Sequence, residues 1–562
     1  MTNLTDAQRM TRLGGMIETA EAGQAAQAKA ARNWSAYQNT CFDFIAHGAG
    51  NAIVIAVAGS GKTTTGVEMV KRIPNGSHIF LAFNKAIAEE LKTRGINGRT
   101  FHSLTYSPVC RAKGCNNVDS NKLRLLIQDA VSNEEQLGTL VITPPSDGPQ
   151  PADFNPNARV HRSPALNYMS KRESQMYGNF IVRLVGLARN AGVGCLCQNI
   201  PEVWQALVEY HDLELDNEAA TIERGIELAM QLLEWSNRSP LLDFDDLLYF
   251  AVKDNISLPK FDYVFVDEAQ DTNAIQRAIL RKIMKPNTRL IAVGDPAQAI
   301  YGFRGADSNS MSMIAEEFGC KELPLTVTYR CPTMVVDYAK QWVSHIEAAP
   351  GAPEGSVRDL DQDWTHEDFL GTDLVVCRTS RPIVALAYQF LRARIPARVM
   401  GKDIGEGLKS LVKKMNAKGI DALIDKLDDY TRREVAKARA KGSDAKAEAI
   451  CDKTDSVLCL IEGLPETERT VPALLATIDE LFNERRSGVT LATIHKSKGL
   501  EAERVWWLNA SACPASWARQ PWQQQQERNL CYVAATRAKR ELVTFEERAK
   551  VKIGRRDEPE AA

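Results

Sequence analysis

Little in the 562-residue chain is extreme, and what it lacks narrows its class first. It has no surplus of positive charge: 69 Lys and Arg stand against 71 Asp and Glu, a formal net charge of −2. No global basic field therefore advertises a polyanion partner, and any such site must be a local patch. No run of about eighteen apolar residues is present to span a bilayer, and the opening "MTNLTDAQRM" lacks the apolar core of a secretory signal. The twelve cysteines are scattered. The closest pairs, Cys110/Cys115 and Cys195/Cys197, have no matching second pair at zinc-ribbon or zinc-finger spacing. A soluble protein in a reducing, intracellular setting is the expectation. Internal repeats are missing as well. With 44% hydrophobic and 25% charged residues the composition is ordinary for a globular protein. The length exceeds one core and points to roughly three or four domains.

What is present is a rhythm of short apolar runs. Residues 1–32 are rich in Ala, Gln and Glu and read as a polar arm, with too few large apolar side chains for a core. Beyond Trp34 come "NAIVIAV" (51–57), "HIFLAF" (78–83), "YVFVDE" (263–268) and "RLIAVG" (289–294), each ending in Gly or a polar residue. The helical pattern "KTTTGVEMVKRI" lies between the first two. Such runs alternating with helices read as parallel strands covered on both faces. A second set implies a second sheet: "DLVVCR" (373–378), "PARVMG" (396–401), "GVTLAT" (488–493), "RVWWLN" (504–509) and "ELVTF" (541–545). Trp506 and Trp507 fall inside a strand run and read as core. Two helical stretches interrupt the sheets, one carrying the Pro-rich loop "TPPSDGPQPADFNPN" (143–157). The expected fold is α/β with two parallel-sheet units, each with a helical insertion. The first comprises 33–105 and 241–324 around an insertion at 106–240. The second comprises 325–404 and 487–562 around a short insertion at 405–486.

Two motifs carry chemistry. "AVAGSGKT" (56–63) fits the P-loop pattern and lies between a strand and a helix, the context that pattern requires. The backbone N–H groups around Ala58, Gly59, Ser60, Gly61 and Thr64 can surround phosphate oxygens at a helix N-terminus. Lys62 is then placed to reach the β- and γ-phosphates, and the Thr63 hydroxyl to ligate Mg²⁺. "YVFVDEAQD" (263–271) supplies Asp267 and Glu268 at the end of a buried run. Asp267 is suited to hold Mg²⁺ through water, and Glu268 to orient and deprotonate an attacking water. A third stretch, "GDPAQAIYGFRGAD" (294–307), gathers Gln298, Tyr301, Phe303 and Arg304 on one loop past a strand end.

Taken in order, these segments and several others resemble superfamily 1A DNA helicases of the UvrD/Rep type. The other segments are "WSAYQNT" around Gln38, "AFNKAIAEEL" (82–91), "TFHSL" (100–104), "DFDDLL" (243–248), "TYRCP" (328–332), "TIHKSKGLE" (493–501) and "ERNLCYVAATRAK" (527–539). "AFNK", where many members read F-T-N-K, is closer to the F-box DNA helicase and phage-type branches. The resemblance implies two RecA-like P-loop domains that use ATP and Mg²⁺. It also implies an ATP-dependent 3′→5′ DNA helicase and single-stranded DNA translocase in DNA repair, recombination or replication. Its partners would be single-stranded DNA and single-strand/duplex junctions. The protein is expected to act as a monomer in the cytoplasm, at the nucleoid or in the nucleus according to its host.

The resemblance also assigns roles. Gln38 looks like the adenine-reading glutamine, Tyr329 like the aromatic that stacks on adenine, and Glu501 like a ribose contact. Arg330 and Arg537 look like arginine fingers, since the charge developing on a γ-phosphate needs cations. Gln298 sits where the family senses that phosphate. Phe83, Asn84, Lys85, His102, Tyr301, Phe303, Arg304 and His495 sit where it contacts single-stranded DNA. Aromatic faces stack on any base, which suits a translocase. Phe303 retains a core reading beside the stacking one. His102 and His495 have no partner spacing for a metal and read as hydrogen-bonding or packed histidines. The charged stretch 409–442 reads as a solvated helical face, with duplex contact as the minority alternative. The short second insertion leaves open a translocase that strips proteins and unwinds weakly. An ATP-gated DNA-binding switch is the alternative from another class, and intact Glu268, Gln298, Arg330 and Arg537 argue against it. Too little chain follows Lys539 for a C-terminal nuclease domain, so a helicase–nuclease fusion is not expected.

Overall fold

The structure, a computed structural model, describes residues 33–115, 118–137, 169–211, 213, 215, 220–302, 309–440, 443–483 and 486–547. The polar arm at 1–32, the Pro-rich stretch at 143–157, and Phe303 and Arg304 lie outside the described residues.

The first sheet contains β1 (Ala52–Ala56), β2 (His78–Leu81), β3 (Gly98–Arg99), β4 (Phe261–Val266), β5 (Met284–Gly294) and β6 (Lys321–Leu325). Its order is β3-β2-β4-β5-β1-β6 and every pairing is parallel. The strands are apolar throughout because both faces are covered. Side chains alternate between two cores, as the strand period of two dictates. Ile53, Val264, Val266, Leu290 and Ala292 pack into one, and Ala52, Val54, Phe265, Ile291 and Val293 into the other.

The chain crosses once to a second sheet. β7 (Val327–Thr328), which pairs with β8 (Glu347–Ala348), starts just beyond β6, with Thr326 alone between them. The second sheet holds β9 (Ser356–Asp359), β10 (Leu374–Cys377), β11 (Ala397–Val399), β12 (Val489–Thr493), β13 (Ala502–Leu508) and β14 (Ala538–Phe545). Its order is β11-β12-β10-β13-β14-β9, again all parallel. Trp506 and Trp507 are both buried and belong to different cores, as neighbours on a strand must.

Every apolar run identified in the sequence holds a strand. Five further strands, β3 and β6 to β9, carry no such run. β3, β6 and β9 lie at sheet edges, where a strand needs little apolar surface. β6 even accommodates Pro324, which edge strands tolerate because one side of the ladder is unpaired.

Helices enter between β3 and β4 and between β11 and β12. The first group includes Phe101–Lys113, Lys122–Leu137, Lys171–Ala191, Pro201–Tyr210, Ile222–Arg238 and Phe244–Lys253. The second comprises Lys402–Met415, Ile420–Ala440, Asp444–Gly463 and Val471–Leu481. Capping boxes start Lys171–Ala191 at Ser170 and Phe244–Lys253 at Asp243.

A buried charge network ties the helices Lys122–Leu137 and Lys171–Ala191 to Phe244–Lys253, the helix that leads into β4. Lys122 Nζ lies 2.6 Å from Asp246, and both side chains are wholly inaccessible. Arg189 reaches Asp243 at 2.7 Å and Asp246 at 3.1 Å. Breaking a buried ion pair on one side costs about 3–5 kcal/mol, because a charge is left desolvated and unpaired. Lys122→Ala is therefore expected to lower the melting temperature by several degrees. A melting curve that overlays the wild type would show that Arg189 alone satisfies Asp246.

Candidate active site

The P-loop follows β1 and runs into the helix Lys62–Lys71. Gly59 shows why the loop needs glycine. Its φ of +72° lies in the left-handed region, and a Cβ there would come within 2.5 Å of Arg330 Cβ and of Thr328 Oγ1. The loop is packed directly against the start of the second sheet, and Tyr329 N–H donates to Gly59 O at 2.9 Å. Ala58 N–H donates to the Tyr532 hydroxyl at 2.8 Å. Val57, Ala58 and Ile300 share a core with Cys331, Leu530, Tyr532 and Ala535. The two sheets thus meet at the loop.

Around it stand groups arranged for an anion. Ser60 is buried and its hydroxyl has no hydrogen-bond partner. Lys62 Nζ is also buried without a hydrogen bond, 3.5 Å from Glu268 Oε1. Thr63 Oγ1 donates to Asp267 Oδ2 at 2.7 Å, and Thr64 is half-buried one residue on. Burial and the neighbouring Glu268 push the Asp267 carboxyl up. Burial works the same way on Glu268, but Lys62 and Lys498 outweigh it and hold that carboxyl low. Glu268 also adopts a left-handed backbone, φ 52° and ψ 43°. That conformation is strained for a non-glycine residue and aims its carboxylate.

Among the described residues, no cluster of three or more His, Cys, Asp or Glu side chains could hold a metal ion. The Thr63–Asp267 pair still fits Mg²⁺, which takes few protein oxygens and completes its shell with water and phosphate. A buried carboxylate pushed upward lacks, in this arrangement, the positive charge a cation would bring.

The second sheet contributes two arginines. Arg537 is fully buried. Its donors go to Val533 O at 2.8 Å, Leu500 O at 3.4 Å and Thr536 Oγ1 at 3.2 Å. No carboxylate of the described residues forms an ion pair with it, and burial, then Arg330, brings its pKa down to about 10. Arg330 lies against the P-loop but is engaged by Glu501 at 2.8 Å, which also pairs with Lys539 at 2.6 Å. Glu501 is therefore spent on cations. Gln38 is likewise committed, donating to Thr65 at 3.1 Å and accepting from Ser35 N–H at 3.1 Å and from the Tyr329 hydroxyl at 3.5 Å. Tyr329 is 48% exposed, its ring open beside that glutamine.

Gln298 is buried, and its amide donates to Asp295 Oδ2 at 2.7 Å, so the structure places it in a hydrogen-bond network. From the same loop Tyr301 stacks on Phe83, with centroids 6.1 Å apart and planes 8° from parallel. Phe83 is 48% exposed. The Tyr301 hydroxyl donates to His495 O at 3.3 Å, which draws a third predicted residue to this surface. Asn84 caps the helix Lys85–Thr93, accepting from Ile87 N–H at 2.9 Å, and Lys85 is exposed beside it. His102 meets the exposed ring of Phe244 edge-on, and burial lowers its pKa.

Several residues that connect these parts carry no individual signal in the sequence. Lys498 Nζ reaches Asp271 at 2.6 Å and Gln298 O at 2.9 Å, stands 3.9 Å from Glu268, and lies over the Tyr301 ring at 4.8 Å. Asn529 donates to Ala299 O at 2.9 Å and Pro296 O at 3.2 Å. Tyr532 touches the P-loop. All three lie on segments already notable by motif, but their contacts span some two hundred residues or more of chain.

With this geometry in view, known proteins offer a comparison. The UvrD/REP helicase N-terminal domain model matches residues 39–319, and the UvrD-like helicase C-terminal domain model matches 411–546. An F-box DNA helicase protein 1 from Schizosaccharomyces pombe is 24% identical over 525 residues, covering 87% of this chain and 55% of that protein. A probable DNA helicase II homolog from Mycoplasma pneumoniae is 25% identical over 341 residues, 55% of this chain and 42% of its own length. The ATP-dependent DNA helicase PcrA of Staphylococcus epidermidis is 30% identical over 135 residues, 22% of this chain and 18% of that one. The aligned region thus spans about half the length of the first two relatives.

Proposed function

Since the chain belongs to the UvrD/Rep helicase family, we propose that it hydrolyses ATP to translocate 3′→5′ on single-stranded DNA and unwinds duplex from single-strand/duplex junctions. The observation that carries this reading is a pair of under-partnered cations, one at the start of the helix that follows the P-loop and one just before β14 of the second sheet. Lys62 is buried without a hydrogen bond, and Arg537 is buried without a carboxylate partner. A buried ammonium without a hydrogen bond and a buried guanidinium without an acid are costly unless an anion joins them, and a nucleotide triphosphate supplies one.

In this mechanism Lys62 and the P-loop N–H groups hold the phosphates, while Arg330 and Arg537 stabilise the charge that develops on the γ-phosphoryl group. Glu268 accepts a proton from the attacking water as that oxygen bonds to phosphorus and ADP leaves. Mg²⁺ held by Thr63 and Asp267 would offset phosphate charge. Tyr301 and Phe83 present faces on which bases stack, with Lys85 and His495 close by, so binding is sequence-tolerant. The process served is DNA repair, recombination or replication, and the working form a monomer in the cytoplasm or wherever the host keeps its DNA.

Strand displacement with ATP on 3′-tailed, 5′-tailed and blunt duplexes tests the proposal. Displacement should depend on the 3′ tail and on ATP. A preference for the 5′ tail would overturn the polarity. Oligonucleotide-stimulated phosphate release without displacement would favour a protein-stripping translocase. DNA affinity that responds to nucleotide, with no turnover, would make the protein a switch.

A further inference from the structure

Gln270 lies two residues beyond Glu268 and is 1% exposed. Its side-chain amide faces two ways. The Nε2 group donates to Glu268 Oε2, and Oε1 accepts from Asp295 N–H at 3.0 Å. The partners fix the orientation of the amide, because a carboxylate can only accept and a backbone N–H can only donate. One planar group therefore ties the carboxylate to the backbone of the loop that follows β5.

The fit is close. At Gly294, the residue before Asp295, a Cβ would stand 2.5 Å from Gln270 Oε1 and 3.1 Å from Gln270 N. Any other residue there would push the amide off the loop. Glycine at this position is required by the approach of Gln270 itself.

The loop is held in turn from the second sheet. Asn529 donates to the carbonyls of Pro296 and Ala299, Lys498 to that of Gln298, and the Tyr301 hydroxyl reaches His495 O. A movement of the second sheet against the first would pull on residues 295–301 through these bonds. Asp295 N–H belongs to that segment, and Gln270 relays its displacement to Glu268. The other cations near Glu268 add charge but no hydrogen bond that fixes the direction of its carboxylate. Lys62 belongs to the phosphate loop, and Lys498 stands 3.9 Å away, beyond hydrogen-bond range.

We propose that Gln270 is a positioning residue that carries closure of the two sheets, and with it occupancy of the Phe83–Tyr301 surface, to the Glu268 carboxylate. This rests on the ATPase reading above. Its consequence is that oligonucleotide stimulation of hydrolysis passes through a neutral amide that touches neither nucleotide nor DNA.

Two variants separate this role from packing. Gln270→Glu keeps the acceptor for Asp295 N–H and removes the donor to Glu268, whereas Gln270→Ala removes both. Phosphate release is measured with and without saturating oligo(dT), together with KM for ATP and the melting temperature. Both variants should lose roughly ten- to a hundredfold in DNA-stimulated kcat, the range expected when a reacting group is displaced by about an ångström. KM and the DNA-free rate should change far less. In a Glu268→Gln background, Gln270→Glu should have no further effect, because residues that act as one unit are non-additive.

Stimulation by oligo(dT) that survives intact in Gln270→Glu would overturn the proposal, leaving Gln270 to satisfy the Asp295 N–H only. So would a full additional loss in the Glu268→Gln background, or a loss confined to KM or melting temperature. Wild-type protein that turns over ATP but is not stimulated by oligo(dT) would overturn this inference alone, whereas no turnover in either condition would sink the ATPase reading and this inference with it.

Discussion

Lys62→Ala is expected to reduce ATP turnover to background while the protein stays folded. The Lys62 ammonium is buried, makes no hydrogen bond, and has Glu268 as its nearest acid at 3.5 Å. Removing it withdraws about 3–4 kcal/mol of charge stabilisation from the transition state, roughly a hundred- to a thousandfold in rate. Stability should change little, since Glu268 keeps the Gln270 hydrogen bond and Lys498 at 3.9 Å, and is not orphaned by the substitution. Phosphate release at saturating oligonucleotide, measured beside a melting curve, checks both halves. Near-normal turnover would remove residues 56–63 from the catalytic site.

Arg537→Ala should lower kcat by about 10³-fold or more if the guanidinium acts as an arginine finger, with a much smaller loss of ATP affinity. The structure adds a second expectation. A buried cation with only neutral oxygen partners is itself costly. Truncation should therefore leave the melting temperature unchanged or raise it, unlike the loss of an ordinary core side chain. Arg537→Lys should not restore the rate, since an ammonium cannot reproduce the planar fork that bonds Val533, Leu500 and Thr536. An unchanged kcat would return Arg537 to a packing role.

What was legible in the sequence had local grammar. The P-loop showed because glycines and a lysine sit at fixed offsets between an apolar run and a helix. Asp267 and Glu268 showed because they terminate a buried strand. Edge strands escaped for the converse reason, since β6 and β9 contain Lys, Glu, Arg or Asp and no apolar run to mark them. Lys498, Gln270 and Asn529 escaped at another level. Each lies in or beside a recognisable motif, but its role comes from a contact with residues the fold brings near, such as Lys498 with Asp271 or Gln270 with Asp295. Asn84 shows that a motif position can serve the backbone first, because its side chain is the cap of the helix it precedes. Gln298 and Glu501 show that a residue aimed at a ligand by motif can be held by protein partners when no ligand competes.

The single crossing between the sheets, at Thr326, has a mechanical corollary. It leaves from β6, at one edge of the first sheet. The P-loop strand β1 lies next to that edge, and β2, which delivers Phe83, lies three strands farther on. At about 4.8 Å per strand, that is roughly 14 Å more distance from the pivot. A hinge at that crossing would make a lever with its fulcrum at β6, the P-loop close to it and the aromatic surface far from it. Small changes in the gap at the P-loop would then become larger excursions at the Phe83–Tyr301 surface, at the expense of force. Tyr329, three residues past Thr326, lies close to that pivot and would travel least.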